Sequence, residues 1–331
     1  MSRIQRFIRI CLSLLLIAFL GAKLDWTALG RIFASIDWML FIVVLLSSPV
    51  LIILMAWRFQ LLLRTQSISI PFAALLQMTW ASQFFSFFLP GTTGGDVFKL
   101  YQIGRLAPQT RAAGAAAVVL DRLFALLALA ALAAAAFLAE PAPILQLISP
   151  DVGVSRVAVL VVLGLSILIL MVFLLRNWLT YNIKGVARFL NTLTEVLEVV
   201  RGGLRFNRLT AAAAVLALAT HGGCFSAVFL VARALHIEIT FLQTLLMMPV
   251  VLLVVMLPVT INGHGLREMV MIGYFGLLHI GGGSVLASGR EMAVALSLAC
   301  LTNDLGCALP GGIWHLLSTP PPPVIADHSS A

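Results

Sequence analysis

Hydrophobic positions in this chain run in blocks instead of alternating with polar ones. Six blocks, at about 8–24, 38–57, 112–138, 156–175, 209–234 and 292–317, approach the roughly 20 apolar residues that a membrane-spanning helix needs. The pattern therefore predicts six full spans. Two further apolar regions, 71–105 and 240–279, are too long for one helix and carry proline and glycine near the middle. Irregular backbone at membrane depth is tolerated only where protein buries it or water reaches it. Each region thus predicts either a re-entrant hairpin or two short spans, and the expected fold is an all-α, polytopic membrane helix bundle.

Charge placement orients these elements. Arg3, Arg6 and Arg9 precede the first block, Arg58 and Arg64 follow the second, and six basic residues lie from Arg176 to Arg208. Glu140 and Asp151 mark an acidic segment. Because basic residues favour the cytoplasmic side, both termini are expected there, in a cell inner membrane. The first interrupted region then enters from the cytoplasm and the second from the opposite face. Residues 178–204 read as a helix with one apolar face, either lying on the headgroups or serving as a solvated connector. Four consecutive prolines make 319–331 a disordered tail. Residues 1–318 are expected to form one membrane domain, with half-repeats of about 38–138 and 209–317 joined by 139–208. The basic, apolar N-terminus could also be a signal peptide, but its cleavage site is poorly formed, and an uncleaved first helix is the expectation.

Composition fits this picture. The 331 residues are 61% hydrophobic and 10% charged, against about 25% charged in soluble domains, and mean hydropathy is +1.07. The formal charge of +8 is explained by orientation and anionic headgroups; there is no basic domain to bind nucleic acid. Cys11, Cys224, Cys300 and Cys307 lack metal-ligand spacing. No metal or cofactor is expected.

The two breaks echo each other. In "LPGTTGGDVFKL" and "LPVTINGHGLRE", Leu89, Pro90, Thr92, Gly95, Phe98 and Lys99 fall opposite Leu257, Pro258, Thr260, Gly263, Leu266 and Arg267 without a gap. A shared P-x-T-x-x-G-x-x-[FL]-[KR] pattern in breaks of opposite orientation predicts an inverted repeat, with a substrate site near the midplane. Broken-helix N-termini there present N–H groups suited to an anion such as phosphate. Asp96 and Lys99, three apart, share a helix face and are expected to pair. Arg267 and Glu268 are adjacent and point differently, leaving that cation less neutralised by its neighbour.

The stretches "AWRFQLLLR", "FFLPGTTGGDVFKLYQIGR", "VVLDRLFALLAL" and "LPVTINGHGLRE" resemble, in that order, motifs of the lysylphosphatidylglycerol synthase transmembrane region, or flippase-like, family over residues 40–317. The resemblance implies handling or translocation of a lipid, with synthesis left to a soluble aminoacyltransferase domain. It marks Pro90, Gly94, Gly95, Asp96 and Lys99 in the first motif, and Asn262, Gly263, Gly265, Arg267 and Glu268 in the second. Lys99 stands where an arginine is more usual, keeping the charge but losing the bidentate fork.

Ionisable groups inside spans are costly and point to function. Asp121 and Arg122 read either as site residues or as a structural ion pair, and Arg58 either as a residue snorkelling from the end of the second span or as one with a substrate role. Asn303 and Asp304 interrupt the last block and are candidates for proton coupling. His264 belongs to the second motif, whereas His221 reads as a packing residue. The candidate substrate-binding set is Pro90, Thr92, Gly94, Gly95, Asp96, Lys99, Asp121, Arg122, Thr260, Asn262, Gly263, His264, Gly265, Arg267 and Glu268. The expected function is translocation of a phospholipid or polyprenyl-phosphate headgroup, without enzymatic activity. Alternatives are a lipid-phosphate transferase with Asp96 or Glu268 as base, and a scaffold for a lipid-modifying partner enzyme.

Overall fold

The computed structural model describes residues 18–88, 94–106, 111–139, 207–256, 263–281 and 287–317. These contain no strand; residues 18–22 are helical, and nine further helices follow: α1 (Trp26–Ala34), α2 (Trp38–Thr65), α3 (Phe72–Phe88), α4 (Gly94–Leu106), α5 (Arg111–Ala139), α6 (Arg208–Ala234), α7 (Phe241–Val255), α8 (Leu266–Leu277) and α9 (Gly289–Leu317). The described residues are thus all-helical, as the hydrophobic blocks predict. Four helices, α2, α5, α6 and α9, are long and apolar enough to cross a membrane. Most of the expected span 8–24, the span 156–175, the 178–204 segment and the tail lie outside the described residues. The short helix α1 was not anticipated.

Local chemistry sets the helix starts. The Asp37 carboxylate accepts the Leu40 N–H at 3.1 Å and opens α2. Asn207 and Thr210 cap α6 reciprocally, as Thr240 and Gln243 cap α7. Exposed Met39, Leu46, Val50, Leu138 and Val215 on the long helices suit a surface in contact with lipid.

Both interrupted regions fold back as helical hairpins. In the first, the Gly95 N–H donates to Ser86 Oγ at 3.1 Å, and Phe85 stacks on Phe98 with centroids 4.4 Å apart. A Cβ at Gly95 would run into the Ser82 carbonyl and the Ser86 hydroxyl. In the second, Gly263 and Gly265 take φ of 73° and 83°, a region that favours glycine, and the Tyr274 hydroxyl donates to the Gln243 carbonyl at 2.9 Å. The hairpin arms of 17, 13, 15 and 12 residues are about 18–26 Å long. Each is shorter than a hydrocarbon core of about 30 Å.

The helix partners form a two-fold pattern. Exchanging α2 with α6, α3 with α7, α4 with α8 and α5 with α9 turns each packed pair among these helices into another packed pair: α3 lies on α9 as α7 lies on α5, and α6 touches α5 as α2 touches α9. At the centre, α2 packs on α6. The Asp37 N–H donates to the Ala234 carbonyl at 2.8 Å, Leu51 meets Gly223, and Leu61 and Leu62 cluster with Ala213 and Ala217. The beginning of α2 therefore meets the end of α6, and the two helices are antiparallel. A two-fold exchange of antiparallel spans reverses direction across the membrane, which makes the repeat an inverted one. Small residues let these backbones approach closely.

Candidate functional site

The second arm of each hairpin carries a cation that reaches the next long helix. In the first half, Lys99 of α4 lies 3.5 Å from Asp121 Oδ2 on α5. The other oxygen of Asp121 accepts Arg58 Nε of α2 at 2.8 Å. Arg58 also donates to Thr220 Oγ1 of α6 at 3.4 Å, and the Lys99 ammonium sits 4.6 Å from the centre of the Phe59 ring. The side chains of Arg58, Asp121 and Lys99 are 3%, 8% and 6% exposed. Beside them, Arg122 Nε donates to Asp96 at 2.6 Å, and Arg122 is the more open partner. Three cations thus share two carboxylates among the described residues of this cluster.

The second half has the opposite balance. Arg267 of α8 donates to Ser297 Oγ at 2.8 Å and to the Ser297 carbonyl at 2.9 Å. Glu268 accepts the Gly265 N–H at 2.7 Å and the Ser297 hydroxyl at 2.5 Å, which caps α8. The Arg267 guanidinium is 3.6 Å from Glu268 and 3.9 Å from Asp304. Here one cation faces two carboxylates.

The hairpin tips approach each other: the Phe87 ring at the end of α3 and the His264 ring in the second break have centroids 6.5 Å apart. Close packing of α3 on α9 brings the tip there. The Trp80 Nε1–H donates to the Cys307 carbonyl at 2.7 Å, and a side chain at Gly311 or Gly312 would collide with Trp80 or Phe84. The Phe85 and Phe98 rings both face His315.

Three expectations change. Asp96 pairs with Arg122, not Lys99, because Lys99 is drawn inward between α2 and α5 to Asp121. Arg58 does not snorkel: α2 continues to Thr65, which places this side chain inside the bundle. Arg267 is within reach of its neighbour Glu268, since both side chains turn toward Ser297. Asp121, Arg122, Asp96 and Lys99 are brought together, as are Gly263, Gly265, Arg267 and Glu268. Asn303 instead bonds Ser48 on α2, at 3.1 Å. His221 hydrogen-bonds the Ala217 carbonyl within its own helix, in keeping with a packing role. Pro90, Thr92, Thr260 and Asn262 lie outside the described residues. Arg58, Thr220 and Ser297 join the clusters without having been in the candidate set. An arginine after an apolar run was a usable clue to Arg58, but nothing in the sequence distinguishes Ser297.

An all-helical, membrane-spanning scaffold with two facing hairpins, each holding an ion-pair cluster, defines the class. The sequence matches the family described as Lysylphosphatidylglycerol synthase TM region over residues 6–289, and the chain belongs to that family. The matched stretch includes both hairpins and ends where α9 begins. Neither a curated protein nor a solved structure matches the chain.

Proposed function

We propose that this protein is a lipid translocase of the inner membrane, moving the headgroup of a phospholipid or polyprenyl phosphate past the meeting hairpin tips while the acyl chains stay in the bilayer. The observation that carries this reading is the surplus cation at the first hairpin, where Arg58 and Lys99 share one buried carboxylate. A buried charge without a counter-charge is costly, and a lipid phosphate would supply one. The positive dipole end at the start of α4 adds a favourable field for an anion. Family membership supports a role with membrane lipids. In this reading both termini are cytoplasmic, and a separate enzyme modifies the lipid.

The test is headgroup accessibility in sealed proteoliposomes. Fluorescent phosphatidylglycerol, its lysyl ester and a polyprenyl phosphate are each quenched from outside, for wild type, Lys99→Ala and Arg267→Ala. The expected result is faster movement of one lipid by wild type and loss of that movement in both folded variants. Equal movement in all three proteins, or none in wild type, overturns the proposal.

A further inference from the structure

The second cluster contains a carboxylate that the translocase reading leaves without a task. Asp304 lies within α9, one of the four helices long enough to span the membrane. Its side chain is 57% exposed, and its cation, Arg267, is 3.9 Å away, beyond hydrogen-bond distance. Arg267 already gives two hydrogen bonds to Ser297. Glu268, the competing carboxylate, is satisfied by the Gly265 N–H and the Ser297 hydroxyl. Asp304 accepts no hydrogen bond among the described residues.

The surroundings offer it little other compensation. From α8 it faces Arg267, with Glu268 behind; from α6, Cys224 lies within range of its charge, as do Cys300 and Cys307 on its own helix. Thiols in apolar surroundings stay neutral. Nearby, α2 presents Leu45 at Gly306 and Ser48 at Asn303, and α3 presents Trp80 at Cys307. His264 lies beside Arg267 and Glu268 at the hairpin tip. The Glu291 carboxylate and Asp25 backbone that join α9 to α1 lie at the start of α9, whereas Asp304 is near its middle. An ionised carboxylate at membrane depth is expensive, and proton relays are built from such groups.

We infer that Asp304 is a proton-binding site: its carboxylate takes up and releases a proton within the membrane-spanning region, beside the Arg267 of the second hairpin. This goes beyond the translocase reading and does not depend on it. Proton uptake removes the second of the two anions facing Arg267 and leaves the guanidinium held by Ser297 and Glu268.

Infrared difference spectra of the full-length protein in lipid nanodiscs test this without any lipid movement. Wild type, Asp304→Asn and Glu268→Gln are titrated from mildly acidic to mildly alkaline buffer, with choline or sodium as the salt cation. The expected result is a protonated-carboxyl band that disappears as pH rises, is absent in Asp304→Asn, persists in Glu268→Gln and is unchanged by sodium. The Asp304 carboxylate accepts no hydrogen bond among the described residues, so the asparagine variant should fold; its thermal unfolding in the same nanodiscs is the control. Absence of a titrating band in wild type, or its persistence in folded Asp304→Asn, overturns the assignment. Suppression of the band by sodium replaces the proton with a metal cation and overturns it too. A translocase that fails in proteoliposomes leaves this result unaffected.

Discussion

Asp121 and Lys99 belong to one ion-pair cluster, yet their removal should have very different consequences. Replacing Asp121 by Asn leaves Arg58 and Lys99 buried with no carboxylate between them, after losing contacts of 2.8 and 3.5 Å. Removing one partner from a buried pair typically costs about 3–5 kcal/mol. Replacing Lys99 by Met instead removes the surplus charge and preserves the Arg58–Asp121 pair. At an effective dielectric constant of about 20, a 3.5 Å contact is worth about 5 kcal/mol, comparable to the several kcal/mol that burying an ammonium costs. The thioether can keep the packing against Phe59, so Lys99→Met should change stability by about 1 kcal/mol or less. Reversible unfolding in nanodiscs, followed by tryptophan fluorescence, measures both variants under one condition. Equal losses, or an Asp121→Asn protein as stable as wild type, would refute the charge accounting. With the stability difference established, Lys99→Met also becomes the clean probe of translocation: folded, but without the surplus cation.

Other outcomes follow from particular contacts. Gly95→Val should cost about 1–3 kcal/mol in the same unfolding assay, because its side chain meets the Ser82 carbonyl and Ser86 hydroxyl. Glu268→Ala removes the cap on Gly265 and should destabilise by about 1 kcal/mol, whereas Ser48 keeps its bond to the Val44 carbonyl in Asn303→Ala; unfolding of both variants checks the contrast. Ser67→Cys and Glu238→Cys, in a cysteine-free background, should react with an impermeant maleimide from opposite faces of the membrane, and labelling from one face would exclude the inverted arrangement. The Asp25 carboxyl is held below its ordinary range by the Thr27 hydroxyl and the Ala28 N–H. Its contribution to α1 is present above the unfolded carboxylate value of about 3.9 and is lost as pH falls through the lower folded value; acid titration of Trp26 emission should follow that loss.

Much of this architecture was legible because membrane helices write their length into hydropathy. The runs around α2, α5, α6 and α9 needed only counting, and the shared prolines, threonines and glycines located both hairpins. Side-chain partners were less accessible. Sequence spacing put Asp96 beside Lys99, but helical neighbours three apart can diverge when one is drawn to a buried counter-charge. Asp121 supplies that pull from a helix whose relation to α4 appears only in the packing. Arg58 was misplaced because hydropathy ends a span at the first arginine, while the helix continues seven residues beyond it to Thr65. Ser297 lies in an ordinary apolar stretch, and only the fold brings it to Arg267 and Glu268.

The antiparallel packing of α2 on α6 has a consequence for direction. A scaffold whose halves exchange by a two-fold operation has no built-in inside or outside: reversing the poses of its hairpins produces the same backbone arrangement facing the other way. In the proposed translocase, any preference for inward or outward movement must therefore be encoded where the halves differ chemically. The ion-pair clusters differ in this way, with Arg58, Lys99 and Asp121 on one side and Arg267, Glu268 and Asp304 on the other. In the translocase proposed above, the backbone would set a reversible path and these unequal charges would set its bias.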